Sequence, residues 1–240
     1  MKRIGLIGGM SWESTAVYYR LLNEAVRLRS GELASADILV HSLDFSQVVA
    51  LQTAGRWDEA GALLAGSAAG LERAGADCIL ICTNTMHLVA DAVAAAVQVP
   101  LIDIVAETGA ALRAAGCRRP LLLATRYTME NGFYHARMER ACGIRPMVPE
   151  AADRDTVHRV IFEELCAGRA LGASRAEFTA IVERGRAAGA DSVILGCTEI
   201  CLLVDPDRLA LPGFDSTTIH ADAAIRFACR QDQPRERMAA

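Results

Sequence analysis

The 240-residue sequence is poor in aromatic residues and has no large excess of either charge. Phe, Trp and Tyr make up 5% of the chain, and the formal net charge is -4. Because nucleic acids and anionic membranes attract proteins with a basic excess, this balance gives no reason to expect either partner. Charged residues interrupt the apolar stretches well before the roughly 20 residues that a membrane-spanning helix needs. We therefore expect a soluble cytoplasmic protein that binds neither nucleic acid nor membrane.

Metal-binding cysteine patterns are also missing. The chain has eight cysteines but no Cys-x-x-Cys pair. Cys78 and Cys82 lie four residues apart, as do Cys197 and Cys201, and neither spacing is a common zinc-binding pattern. We therefore predict no metal site. We expect most of the cysteines to be reduced, buried thiols that pack as small apolar groups.

Short apolar runs alternate with alanine-rich amphipathic segments along the chain. Continuous apolar strands separated by helices are typical of parallel sheets that helices cover on both faces. We therefore predict an α/β fold with mostly parallel sheets. The predicted strands are Ile4–Ile7, Ile38–His41, Cys78–Ile81, Leu101–Ile102, Pro120–Leu123, Ile144–Val148, Ser192–Leu195 and a weak strand near Leu211–Phe214. Helices are predicted between them, among them Asn131–Cys142 and Asp155–Ala167.

Parts of the sequence recur at a nearly constant offset. The motif AGAD occurs at residues 74–77 and again 114 residues later. PLID at 100–103 resembles PGFD at 212–215, and residues 3–7 resemble 119–123, at offsets of 112 and 116. Recurrence in the same order indicates a duplicated α/β unit. We therefore predict two similar lobes, the first formed by residues 1–104 with 216–240 and the second by residues 105–215.

Polar segments follow four of the predicted strands. They are residues 8–11, 83–85, 125–128 and 197–199. Ligands of open parallel sheets bind at the carboxyl ends of the strands. Two similar lobes that face each other would therefore bring all four segments around one cleft, and we predict the functional site there.

The repeat pairs Cys197 with Thr83 and not with the neighbouring Cys82. At the AGAD offset of 114, residue 197 corresponds to residue 83. Successive side chains of a strand point to opposite faces, so a shift of one residue turns a group away. We expect Cys82 to lie beside the cleft, although a one-residue bulge would return it to the cleft.

The position of Cys197 after a strand and before a predicted helix suggests a reactive thiol. Thr83, Asn84, Thr85, Thr198 and Glu199 carry side chains suited to helix N-termini. Free backbone N–H groups at such a place bind small anions such as carboxylates, and they lower the pKa of a cysteine. We therefore expect a thiolate at Cys197, and the alternative is an ordinary buried thiol.

Five motifs together resemble those of the aspartate/glutamate racemase superfamily, and most closely those of its broad-specificity amino-acid racemases. They are IGLIGGMSWEST at 4–15, CTNTMH at 82–87, RYTMENGFY at 126–134, IFEELCAGR at 161–169 and GCTEI at 196–200. The resemblance implies two pseudo-symmetric, Rossmann-like lobes with the active site in the cleft between them. It also implies catalysis without pyridoxal phosphate or metal, by two residues on opposite faces of the substrate Cα.

The matched motifs indicate which residues act in this chain. Cys197 is the expected acid/base, and Thr83 stands where a first catalytic cysteine is usual in this family. The expected substrate contacts are Met10, Gln52, Thr83, Asn84, Thr85, Thr198 and Glu199. We expect Glu199 to orient the thiol or to receive the substrate ammonium group. Arg126 would bind a carboxylate or remain solvated.

The substitution of threonine for cysteine predicts an asymmetric enzyme. Racemisation needs one group to remove the Cα proton and another to return a proton from the opposite face. A threonine hydroxyl is a far poorer base than a thiol, whose ordinary pKa is about 8.5. We therefore expect an amino-acid racemase whose two directions differ in rate and KM.

The substrate and two other functions stay open. Aspartate-specific relatives carry a basic residue at the position of Cys166 and an arginine near residues 47–48, and this chain has neither. Their absence favours a broader or neutral polar side chain, and the alternative is an acidic substrate, aspartate or glutamate, held by backbone and hydroxyl contacts. The alternatives are a one-cysteine decarboxylase or cis–trans isomerase of the same superfamily and a non-catalytic amino-acid sensor. The expected partner is an amino-acid substrate, and a homodimer remains open.

Overall fold

The computed structural model of the protein describes residues 1–230 as a mixed α/β chain with two parallel sheets. The first sheet has the order β2-β1-β3-β4 and the second the order β5-β6-β7. All pairings are parallel, which confirms the predicted fold class. The strands are β1 Ile4–Gly8, β2 Ile38–Ser42, β3 Cys78–Ile81, β4 Leu101–Ile102, β5 Pro120–Leu123, β6 Ser192–Leu195 and β7 Gly213–Asp215.

Helices connect the strands and cover the sheets. They are α1 Trp12–Ser30, α2 Phe45–Thr53, α3 Trp57–Arg73, α4 Ala90–Ala95, α5 Ile104–Ala114, α6 Arg126–Glu130, α7 Phe133–Cys142, α8 Ala151–Arg159, α9 Gly172–Ala187, α10 Ile200–Leu203 and α11 Ser216–Ala228. Side chains at the N-caps accept backbone N–H bonds, as Asp103 does from Val105 and Ala106 at the start of α5. Within residues 1–230, no helix is long and apolar enough to cross a membrane.

The strand registers confirm the predicted duplication. Ile4 of β1 pairs with Cys78 of β3, and Pro120 of β5 pairs with Ser192 of β6. These pairs are equivalent at the offsets of 116 and 114 that the sequence shows. The turns before β3 and β6 match as well, since Gly75 and Gly189 have φ values of +95° and +93°. The central strands of both sheets are therefore the same structural unit.

Two predicted elements differ from the structure. Residues 144–148 form only an isolated bridge between Met147 and Leu121, because the flanking Pro146 and Pro149 have no N–H to extend a ladder. The predicted helix Asp155–Ala167 is interrupted. Its α-helical part ends at Arg159, and a π turn (Val160–Glu164) and a 3-10 turn (Leu165–Ala167) follow.

The helices at the predicted lobe boundaries pack in different apolar cores. Side chains of α11, including Ala224 and Ile225, pack with Ile4 and Leu6 of the first sheet. Ile104, Val105 and Leu112 of α5 instead belong to the apolar core of the second sheet. We propose that α11 completes the first lobe, although residues 231–240 of that predicted lobe lie outside the described residues.

Candidate active site

A narrow cleft lies where the polar segments after β1, β3, β5 and β6 meet. All eight residues predicted for the site line it, and they are Met10, Gln52, Thr83, Asn84, Thr85, Cys197, Thr198 and Glu199. Its cavity volume is about 40 Å3. This is room for about three waters, so the cleft suits a small ligand.

Thr83 and Cys197 occupy equivalent places on the two sides of the cleft. Each lies two residues beyond its strand, Thr83 after β3 and Cys197 after β6, and each is partly exposed to the cleft. Cys82 is instead fully buried in the apolar core beside Tyr18 and Leu80. Burial raises the pKa of the Cys82 thiol, so this thiol stays protonated and away from a bound ligand.

Cys197 is bonded to a buried carboxylate. Its Sγ donates to Glu199 Oε2 at 2.9 Å. The other oxygen, Oε1, accepts from the hydroxyls of Ser11 and Ser14, both at 2.7 Å. Glu199 is 4% exposed, so these three donors replace the water that would otherwise solvate its charge. The carboxylate is thereby fixed against the thiol.

The expectation of a lowered pKa at Cys197 is wrong. Burial and the adjacent charge of Glu199 raise the pKa of the Cys197 thiol well above its ordinary value. The helix that follows, α10, has only four residues and begins three residues after Cys197, so its dipole is too weak and distant to compensate. The protonated thiol is therefore favoured at Cys197, and Glu199 Oε2 is the proton acceptor already in hydrogen-bond contact with it.

On the opposite side, a buried histidine fixes the backbone of Thr83. His87 Nε2 accepts the backbone N–H of Ile104 at 3.2 Å, so Nδ1 carries the proton and donates to the carbonyl oxygen of Thr83 at 2.8 Å. Burial lowers the pKa of His87. His87 is thus a neutral structural group behind the cleft, and it holds Thr83 in position without reaching the cleft itself.

A second buried histidine predicts a loss of stability in acid. His220 lies between the hydroxyl of Tyr18 and the carbonyl of Ile102, and burial lowers its pKa to about 3. In the unfolded chain histidine has a pKa of about 6.5, so between these values only the unfolded state binds the proton. Stability therefore falls as pH falls, by about 2 kcal/mol between pH 7 and pH 5 from this group.

Urea unfolding at the two pH values measures this effect. In His220→Gln, whose amide can still bond Tyr18 and Ile102, the loss of unfolding free energy between pH 7 and pH 5 should be smaller by about 2 kcal/mol. An equal loss in both proteins would show that His220 is not the buried neutral group described here.

Further buried polar groups lie at the cleft and directly behind it. The hydroxyls of Thr85, Thr125 and Thr128 form a buried triangle with oxygen separations of 2.9 to 3.1 Å. Asn84 Nδ2 donates to Ser216, but Asn84 Oδ1 is buried without a hydrogen-bond partner. An unpaired buried acceptor is costly, so a ligand N–H at this point would be stabilised.

The sequence interpretation missed several lining residues. They are Ser14, Phe45, Ile161, Phe162 and Gly196. Ser11 and Thr125 of the predicted polar segments also line the cleft, as does Cys166. Arg126 is absent from the lining and pairs instead with Asp155 at 2.7 Å. Gln52 is buried rather than on the surface, and its amide donates to the sulfur of Met86. Among residues 1–230, no group of three or more His, Cys, Asp or Glu side chains is placed to hold a metal ion.

Comparison with known proteins places these features in a family context. The sequence pattern of the Asp/Glu/hydantoin racemases matches residues 7–224. A Yersinia pestis structure assigned to the Asp/Glu racemases is 45% identical, with a TM-score of 0.90 over 96% of this chain and 100% of that one. An aspartate racemase homologue from Pyrococcus horikoshii is 33% identical over the same shares, with a TM-score of 0.84. The aspartate racemase of Picrophilus torridus shares the fold at 20% identity, with a TM-score of 0.76 over 96% of each chain.

Proposed function

The chain belongs to the Asp/Glu/hydantoin racemase family, and we propose that it is an amino-acid racemase that needs neither pyridoxal phosphate nor a metal. One observation carries the proposal. A thiol bonded to a buried carboxylate, Cys197 with Glu199, stands at the position in the second sheet that Thr83 occupies in the first. Two proton-carrying groups from opposite lobes are what inversion at Cα requires.

The proton moves through Cys197 in two steps. The thiol gives its proton to Glu199 Oε2, and the resulting thiolate removes the Cα proton, leaving the electron pair on Cα and the adjacent carboxylate. Hydroxyl and amide donors around the cleft stabilise the developing negative charge. The hydroxyl of Thr83 then protonates Cα from the other face and takes a proton from water, while Glu199 releases its proton to solvent, which neutralises the hydroxide and restores all three groups. In the reverse direction Thr83 must act as the base, for which a hydroxyl is poorly suited.

This asymmetry appears in kcat and KM separately. The equilibrium constant of a racemisation is one, so kcat/KM is the same for the two enantiomers. The enantiomer whose Cα proton faces Cys197 has the higher kcat and the higher KM. It also exchanges its Cα proton with solvent faster than it inverts, because the proton on Cys197 exchanges with solvent and one is returned to Cα before Thr83 delivers its own.

Chiral chromatography of amino acids incubated with the purified chain tests the proposal. We expect L- and D-forms of at least one amino acid to reach the same racemic mixture, with no pyridoxal phosphate added and with a chelator present.

The second candidate is a one-cysteine decarboxylase or cis–trans isomerase, since the residue equivalent to Cys197 is Thr83. Turnover of arylmalonates without racemisation would favour it, and tight binding without any turnover would favour an amino-acid sensor.

A further inference from the structure

We propose that the substrate carries a short, uncharged, largely apolar side chain, and that the interrupted helix at residues 160–167 sets this preference. The inference rests on the proposed function and specifies the substrate class at the same cleft. It follows from the charges around the cleft, from the wall that this segment provides and from the support behind that wall.

The cleft offers no cation to a second carboxylate. Among residues 1–230, its lining contains no lysine, arginine or histidine, and Glu199 is its only carboxylate. An acidic side chain would therefore enter a partly buried space without a charge partner and beside a negative group. Burying an unpaired charge in this way is strongly unfavourable, and an uncharged side chain avoids that cost.

The cations nearest in sequence to the cleft wall are already engaged elsewhere. Arg159 pairs with Glu164 at 2.8 Å and with Glu177 at 3.2 Å. Arg169 donates to the backbone carbonyl of Glu163, and Arg126 pairs with Asp155. A ligand carboxylate could recruit one of these groups only by breaking an existing interaction, so they do not substitute for a cation in the cleft.

The interrupted helix supplies an apolar wall. Ile161, Phe162 and Cys166 all line the cleft and come from the π turn and the 3-10 turn after α8. Short π segments inside helices are frequent at functional sites. Phe45 and Met10 of the first lobe add apolar surface to the same cleft. Burial against this surface therefore stabilises a substrate whose side chain is apolar.

Other aromatic side chains support the wall from behind, and this limits the length of the substrate side chain. The ring of Phe162 lies 4.7 Å from that of His158, which contacts Tyr127, and Tyr127 in turn meets Trp57 of α3 edge-on at 5.9 Å. This aromatic row runs from the second lobe to Trp57 in the first lobe, and it holds Phe162 in place. A wall fixed in this way limits how far a substrate side chain can extend toward Phe162.

Isosteric substrate pairs test the inference on the unaltered protein. Asparagine and aspartate, like glutamine and glutamate, have nearly the same shape and differ in charge. We expect kcat/KM for racemisation to be at least 30-fold higher for asparagine than for aspartate, and higher for alanine and serine than for glutamine. A kcat/KM for aspartate equal to or above that of asparagine would overturn the inference.

A wall variant and a binding measurement complete the test. Phe162→Ala should raise kcat/KM for methionine relative to alanine by about tenfold, with its fold checked by circular dichroism, and an unchanged ratio would contradict the role of the wall. If no amino acid is racemised, the proposed function fails. The inference is then decided separately by calorimetry, in which asparagine must bind at least tenfold more tightly than aspartate.

Discussion

Cys197→Ala should lower the rate of Cα proton exchange by about 10³-fold or more for every substrate. The thiol is the group that touches the Cα proton in the proposed mechanism, and general acid–base groups contribute 10² to 10⁴ in rate. Alanine leaves Glu199 bonded to Ser11 and Ser14, so the fold around the carboxylate should persist. NMR of the Cα proton in D2O measures the exchange rate directly.

Two other cysteines provide matched controls for this variant. Cys82→Ala removes a thiol that lies in the core, one residue from Thr83. Cys166→Ala removes a thiol that lines the cleft but packs against the same apolar core as Cys197, so it cannot supply the opposite face. Both should retain exchange within about tenfold of the unaltered chain. Loss of exchange in Cys82→Ala, at unchanged stability, would contradict the assigned register.

Glu199→Gln should move two measurements in opposite directions. In the substrate-filled cleft the thiol of this variant has no adjacent proton acceptor, and kcat should fall by about 10² to 10³. In the free protein, where water can take the proton, the same change removes the negative charge that raises the pKa of Cys197, so more thiolate should exist at pH 7. Alkylation of Cys197 by iodoacetamide should then be about tenfold faster or more, since each pKa unit changes the thiolate fraction tenfold.

The opposed changes separate a proton acceptor from a merely structural residue. Glutamine can still accept hydrogen bonds from Ser11 and Ser14, so a packing role would leave both measurements nearly unchanged. Ser14→Ala serves as the matched control. It removes one hydrogen bond to Glu199 and should lower kcat far less than Glu199→Gln does. If alkylation slows together with turnover, the carboxylate does not control the thiol as described.

The central strands and the position of Cys197 in the cleft could be predicted from the sequence because their signals are local or repeated. β1, β3, β5 and β6 are fully buried apolar runs, and such runs are visible in the sequence. The AGAD repeat also indicates which residues of the two halves correspond. The pairing of Ile4 with Cys78 and of Pro120 with Ser192 reproduces this correspondence. That correspondence distinguished Thr83 from Cys82.

The environment of Cys197 could not be predicted in the same way, because it depends on contacts between distant segments. Ser11 and Ser14 reach Glu199 across 188 and 185 residues of sequence. A motif that follows a strand suggested an activating helix terminus, yet α10 is one turn long and the nearest charge is negative. The break in the helix after Arg159 could not be predicted from the sequence either, since the residues of a π turn have ordinary helix-forming character.

The most direct test of the account is enantiomer-resolved exchange in D2O with Thr83→Val. This change keeps the shape of the side chain and removes the hydroxyl. We predict that inversion falls by at least 100-fold while one enantiomer still loses its Cα proton to solvent through Cys197. The other enantiomer should neither exchange nor invert. Inversion at the rate of the unaltered chain would show that Thr83 does not serve the second face and would contradict the account.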